Sequence, residues 1–144
     1  PPVGTPWMRT LEGAALARLG RAEAALAEVR SAWGGMLAAG ATTFWEAYDP
    51  AQTGDAHYAF YGRPFGKSLC HAWAAGPVWL LPTTILGVRP LEPGWRTVAV
   101  TPAGTDLAWA CATVPTPHGA LHVELERGRL RVRGPKGIRI VRGG

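Results

Sequence analysis

The apolar residues of this chain change their spacing once, and that change limits the possible folds more than any other feature. Between Arg21 and Ala39 they recur every three or four residues, the period of an amphipathic helix. From Arg96 onward they alternate with polar residues, the period of a half-buried strand. Gly87–Gly94 lies between the two patterns and is a linker by its Gly and Pro content. The sequence therefore predicts an α+β fold, with helical hairpins, a domain boundary after residue 90 and then a small antiparallel β-sandwich.

The helical half predicts a hairpin of two helices. Trp7–Leu19 follows Thr5 as a candidate N-cap, and Gly20 ends it. Arg21–Ala39 is the second helix, in which Gly34-Gly35 marks either a close helix–helix approach or a bend. The apolar face of the second helix is Ala22, Leu26, Val29, Trp33, Met36 and Leu37. Further helices are predicted at Lys67–Ala75 and Val78–Leu86, and strands at Arg96–Thr101, Leu107–Val114, Ala120–Glu126, Arg129–Arg133 and Ile138–Val141.

The excess of positive charge is confined to the strand half. Residues 94–144 hold eight Arg or Lys and three Asp or Glu, which accounts for the whole net charge of +5. Much of it alternates with apolar residues in Arg127–Arg133, as expected for the wet face of a strand. No aromatic residue follows Trp109, whereas a nucleic-acid site would interleave exposed aromatics with basic residues. We therefore expect a solvated strand face and no nucleic-acid partner.

Length and residue types exclude several further classes. At 144 residues the chain fits one ordinary domain or two small halves, and 47% hydrophobic content is enough for a core. No apolar run reaches about 18 residues, so no membrane partner is expected. The N-terminus lacks the pattern of a signal peptide, which favours the cytoplasm if the chain is complete. Cys70 and Cys111 have no motif spacing and are expected to be buried thiols. No metal or other cofactor is expected, because no His/Cys/Asp cluster has ligand spacing.

One acidic residue stands in an unusual setting. Glu46 follows Phe44 and Trp45, shortly after the Gly40 that ends the second helix. An aromatic wall can desolvate a carboxylate and hold a sugar ring at the same time. The long connection Ala41–Gly66 carries further aromatics, which is typical of an ordered pocket wall. The other interpretation of Glu46 is structural: it caps the next segment or pairs with an Arg.

Six short motifs follow one another along the chain: Leu16–Arg21, Trp33–Leu37, Gly40–Glu46, His57–Gly62, Gly66–Trp73 and Leu86–Pro90. Together they resemble the C-terminal end of the family 78 α-L-rhamnosidases, and the resemblance covers most of the chain. It implies that residues 1–86 are the last helical hairpins of an (α/α)6 barrel and that the family's C-terminal β-sandwich follows. It also implies hydrolysis of terminal α-L-rhamnose with inversion, on a rhamnose-containing glycoside.

The resemblance further implies roles for individual residues. Glu46 matches the general base, and His71 matches a histidine that hydrogen-bonds the rhamnose. Trp45, His57 and Tyr58 are further substrate-binding candidates. Trp45 is a neighbour that shapes the pocket, and loop packing is the alternative for His57 and Tyr58. No residue before Glu46 fits the family's general acid. We therefore expect the isolated chain to be inactive or nearly so, and to need the remainder of the barrel or a self-association partner.

Two other functions stay open on the sequence alone. A non-catalytic carbohydrate-binding or interaction module would keep the aromatic loop without the chemistry, and the missing acid favours it for the isolated chain. Another (α/α)6 enzyme, such as an α-glucosidase-like hydrolase, would share the barrel. The retained stretch Thr42–Glu46 favours the rhamnosidase.

Overall fold

The computed structural model describes residues 5–143, which divide into two compact units. One unit ends at Trp79 and consists of helices and ordered loops, and the other begins at Leu80 and contains the strands of the described chain. The predicted α+β class is confirmed. No helix within residues 5–143 is long and apolar enough to cross a membrane. A functional domain boundary after residue 90 stays a prediction.

Helices α1 and α2 form the predicted hairpin. Helix α1 spans Pro6–Arg18 and α2 spans Ala22–Val29. Pro6 lies in the first turn of α1, where its missing N–H removes no helical hydrogen bond. Arg9 near the start of α1 donates to Glu28 near the end of α2, at 2.7 Å. This ion pair therefore joins the two helices at the end of the hairpin that is remote from its turn.

Helix α2 continues into two further helical segments. It passes into a π segment, Arg30–Gly34, and then into α3, Gly35–Ala38, so the predicted helix Arg21–Ala39 forms almost in full. The predicted apolar face is buried at Leu26, Trp33 and Met36. The assignment of Leu37 to that face is wrong, because its side chain is 69% exposed. A π segment holds more residues per turn than an α-helix, which shifts the phase of the residues after it.

The chain from residue 41 to residue 75 is an ordered loop with two short 3₁₀ turns, Gly54–Tyr58 and Ala72–Ala74. The predicted helix Lys67–Ala75 is therefore wrong. Its first half runs beside the segment around Glu46 instead, and the backbone N–H and C=O groups that a helix would use internally bond to that segment.

Helix α4 and six strands are the regular elements in the rest of the described chain. Helix α4 spans Gly76–Thr84, slightly earlier than the predicted Val78–Leu86, and contains Pro82. The strands are β1 (Val88–Pro90), β2 (Thr97–Val100), β3 (Trp109–Thr116), β4 (Gly119–Glu126), β5 (Arg129–Arg133) and β6 (Arg139–Arg142). One sheet has the order β1-β2-β6, in which β2 pairs with β1 antiparallel and with β6 parallel. The other sheet is the antiparallel meander β3-β4-β5.

Strand β1 lies in the stretch that composition marks as a linker. Val88 pairs with Val100 of β2 and is 1% exposed. The linker interpretation of Gly87–Gly94 is therefore wrong for its first half. A three-residue strand is too short to show a period of its own, and its burial comes from a partner that lies later in the sequence.

The two sheets share one hydrophobic core. Its fully buried members are Leu86, Val88, Val98, Val100, Leu121 and Val123. In β5, Leu130 and Val132 pack against this core while the three Arg residues that alternate with them are exposed, as the alternation predicts. Cys70 and Cys111 are free and exposed, so the prediction of buried thiols is wrong. In β3 the same alternation places Cys111 on the outer face.

Candidate active site

The helical unit contains an open cavity of about 540 Å³. Its lining is Thr5, Trp7, Glu46, Tyr61, His71, Ala72, Trp73 and Ala74. The structure thus brings together Glu46 and His71, which are 25 positions apart in the sequence. A concave site with a few polar groups among aromatic side chains is the usual form of a small-ligand site.

Backbone pairing places Glu46 next to His71. The N–H of Glu46 donates to the carbonyl of Ser68 at 2.9 Å, and the N–H of His71 donates to the carbonyl of Phe44 at 2.8 Å. The hydroxyl of Thr43 also donates to the carbonyl of Leu69. These bonds hold two loop segments side by side, so both side chains reach the same cavity.

The carboxylate of Glu46 accepts a hydrogen bond on each oxygen. The hydroxyl of Tyr61 donates to Oε1 at 2.7 Å, and the N–H of Ser68 donates to Oε2 at 3.0 Å. These two donors, followed by the nearby His71 and Lys67, hold the pKa of Glu46 below its ordinary value, and partial burial opposes them. Glu46 is therefore anionic at neutral pH, and its partners are a tyrosine and a backbone amide rather than an Arg.

Tyr61 was not among the residues that the sequence predicted for the site. It lies in a tight turn in which Phe60 and Arg63 exchange backbone hydrogen bonds of 3.0 and 2.9 Å. Tyr61 and Gly62 both have positive φ, 51° and 70°. Two-residue turns of this kind favour Gly at such positions, so the Tyr-Gly pair was the available signal for the turn. The bond to Glu46 raises the pKa of Tyr61.

Trp45 lies in the core of the helical unit rather than in the cavity lining. It is 3% exposed and packs with Trp33 and Met36. The Nζ of Lys67 lies 5.8 Å from the centroid of its ring. Burial lowers the pKa of Lys67, and the charges of Asp49 and Glu46 oppose that shift. Trp45 therefore anchors the residue that follows it, Glu46.

His57 and Tyr58 pack within the loop. His57 is 8% exposed and stacks on Tyr48, with ring centroids 5.8 Å apart. Its Nδ1 has no hydrogen-bond partner among the described residues. Tyr58 meets the ring of Trp45 edge-on at 5.9 Å. Both residues lie behind Trp45 rather than in the cavity lining, and their assignment to substrate binding stays a prediction.

Two indole rings form an aromatic wall that the sequence did not predict. Trp7 of α1 and Trp73 of the second 3₁₀ turn have ring centroids 5.7 Å apart. They are 43% and 68% exposed. The turn is held in place by Trp33, whose Nε1 donates to the carbonyl of Ala74 at 2.7 Å. The contact between residues 66 positions apart follows from tertiary packing and leaves no local pattern in the sequence.

Two comparisons with known proteins point to the same family. The family model described as the bacterial alpha-L-rhamnosidase C-terminal domain matches residues 87–139. A solved structure, the GH78 family rhamnosidase of Bacillus sp. GL1, matches 98% of this chain with a TM-score of 0.81 and 34% sequence identity. Both matches support the assignment of this chain to the C-terminal part of a family 78 rhamnosidase. No curated protein matches it.

This chain spans 15% of the length of the Bacillus protein. Its cavity is correspondingly poor in acidic groups: among the described residues, Glu46 is the one carboxylate in the lining. No three His, Cys, Asp or Glu side chains within residues 5–143 lie close enough together to hold a metal ion.

Proposed function

We propose that this chain supplies the general base of an inverting glycoside hydrolase that releases terminal α-L-rhamnose. The observation that carries the proposal is the setting of Glu46, an anionic carboxylate in the same open cavity as His71. In inverting hydrolysis a carboxylate takes a proton from water as the water attacks the anomeric carbon. A carboxylic acid on the other face of the sugar protonates the leaving oxygen.

The neighbours of Glu46 have distinct roles in this proposal. His71 lines the cavity and offers a ring nitrogen to a sugar hydroxyl. Trp45 fixes the backbone before the base through its buried ring. His57 and Tyr58 support the ring of Trp45 on the side away from the cavity, since both of their rings pair with it.

The general acid comes from elsewhere in the complete enzyme. Inverting glycosidases hold their two carboxyl groups roughly 6.5–9.5 Å apart, with the water between them. The cavity lining holds Glu46 alone among the carboxylates of the described residues. General acid catalysis contributes about 10²–10⁴-fold, so the isolated chain is expected to show little or no turnover.

The open side of the helical unit offers a surface for the missing part. Trp7, Met8 and Leu11 lie on one face of α1 and are 43–52% exposed. Apolar side chains in such a cluster favour association. In the proposal this face packs against the remainder of the barrel in the complete enzyme and against a second copy in the isolated chain.

One observation favours a second function. The exposed pair Trp7 and Trp73 could hold a sugar by stacking alone, which suits a non-catalytic carbohydrate-binding module. Titration of the isolated chain with L-rhamnose separates the two functions. A binding module would lose most of its affinity with Trp73→Ala and little with Glu46→Ala, whereas a base position affects turnover.

A chimera tests the leading proposal. In it this chain replaces the matching segment of the Bacillus rhamnosidase, and release of a chromogenic aryl group from an α-L-rhamnoside is followed. Glu46→Gln is expected to lower kcat by about 10²–10⁴-fold, the usual contribution of a general base. Glu23→Gln makes the same chemical change on the exposed face of α2 and should leave kcat unchanged. Full activity of the Glu46→Gln chimera would exclude Glu46 as the base.

A further inference from the structure

Tyr61 occupies a backbone conformation that its side chain disfavours. Its φ of 51° lies in the left-handed region, which Gly adopts without strain and L side chains with a Cβ do not. The next residue, Gly62, also has a positive φ, 70°, which a glycine adopts without strain. A turn that needed only to reverse the chain would be better served by Asn or Gly at residue 61.

Burial does not compensate for this strain. The Tyr61 side chain is 74% exposed, so little apolar surface is removed from water. Its ring forms a T-shaped pair with the Phe60 ring, with centroids 4.3 Å apart, and its hydroxyl lies 2.7 Å from the carboxylate of Glu46. Strained residues persist where the surroundings require them, often at functional sites. Of these contacts, the one with Glu46 depends on the Tyr61 hydroxyl, which donates a hydrogen bond that the Phe60 contact does not need.

We infer that Tyr61 is the positioning residue of the catalytic base, holding one oxygen of Glu46 so that the carboxylate faces the cavity in a single orientation. The inference deepens the proposed function and rests on it. Ser68 fixes the other oxygen through its backbone N–H. A carboxylate has about four acceptor sites, so two donors leave sites free to accept the proton of the attacking water.

The two donors also lower the proton affinity of the base, together with the nearby His71 and Lys67 and against the effect of burial. Hydrogen bonds to the charged form favour that form, and Tyr61 is the first cause of the lowered pKa of Glu46. Loss of the hydroxyl should therefore raise the pKa of Glu46. Since a base must be deprotonated to act, the acidic limb of kcat/KM should move to higher pH by the same shift.

The first test measures the pKa of Glu46 in the isolated chain from the ¹³C shift of its carboxyl group. Tyr61→Phe should raise this pKa. Tyr48→Phe removes a hydroxyl from the same loop, where the ring stacks on His57, and should leave the pKa unchanged. Tyr61→Asn keeps a residue that tolerates positive φ and should raise the pKa as Phe does, so the test survives a failure of the Phe variant to fold. An unchanged pKa in both variants at residue 61 would overturn the inference.

The second test uses the pH dependence of the chimera. Tyr61→Phe should move the acidic limb of kcat/KM upward and lower kcat at neutral pH, and Tyr48→Phe should do neither. A pKa that rises in the isolated chain without any movement of the limb would also refute the role of Tyr61 in catalysis. The Glu46→Gln chimera decides the proposed function separately, because its loss or retention of activity does not depend on Tyr61.

Discussion

Two adjacent glycines give a stability test with an internal control. Gly34 and Gly35 have nearly identical helical φ values, −61° and −62°. A Cβ on Gly34 would have no atom within 4 Å, whereas one on Gly35 would lie 2.5 Å from Cζ and 2.6 Å from Oη of Tyr48. The Gly pair therefore marks a close approach, to a loop side chain rather than to a second helix. The ring of Tyr48 is itself stacked on His57, so it cannot move freely.

The magnitude follows from two opposing effects. Replacing Gly by Ala inside a helix stabilises by about 0.5–1 kcal/mol, and this gain applies at both positions. Forcing a methyl group into an occupied site costs about 1–3 kcal/mol, and this cost applies at Gly35 alone. Gly34→Ala should therefore raise the free energy of unfolding. The free energy of unfolding of the Gly35→Ala variant should be lower than that of the Gly34→Ala variant by about 1–3 kcal/mol. The backbone gain is the same in both variants and cancels in this difference.

Urea unfolding of the isolated chain measures this difference. The indole NMR signals of Trp33 and Trp45 report on the helical unit, because both rings are buried there. Linear extrapolation then gives the free energy of unfolding for each variant. Equal values for the two variants, within about 0.5 kcal/mol, would show that Tyr48 does not approach Gly35, and would refute the packing of the loop described here.

Three further predictions concern stability and association. Trp33→Phe leaves the fully buried carbonyl of Ala74 without its donor and should cost about 1–3 kcal/mol in the same urea assay; a change below about 0.5 kcal/mol would contradict the bond. Glu46 has a lowered pKa, so its contribution to stability is present above about pH 4.5 and is lost as the pH falls through the folded value. Glu46→Gln should flatten that part of the pH profile of unfolding, and an unaltered profile would exclude this contribution. Light scattering should show the isolated chain to self-associate, and Met8→Lys on the exposed face of α1 should weaken it; a monomer at all concentrations would contradict this.

The regular elements were predictable because their patterns are local. The helix Arg21–Ala39 repeats its apolar residues over nearly five turns, and the Arg-apolar alternation of β5 covers the whole strand. Glu46 could be singled out for the same reason, since its aromatic neighbours adjoin it in the sequence. The resemblance to the rhamnosidases rests on short motifs of this kind, in order along the chain.

The errors lie where a distant partner decides the structure. Residues 67–71 pair with the segment around Glu46, which overrides a helical tendency that is only local. Val88 is buried by Val100, and no period can be seen in three residues. Tyr61 reaches the cavity from a turn that is linked to Glu46 by a hydrogen bond. Trp73 reaches it from a 3₁₀ segment that is linked to Trp33 by another. Contacts of this type need the folded chain before they can be found.

The most direct measurement of the central claim is azide rescue in the chimera. Glu46→Ala should abolish rhamnoside hydrolysis and leave space on the face of the sugar from which the water attacks. Azide should then restore release of the aryl group and form a β-L-rhamnosyl azide, because it replaces the activated water and inverts the anomeric carbon. Failure of azide to restore turnover, or an azide product that retains the α configuration, would contradict the assignment of Glu46 as the general base.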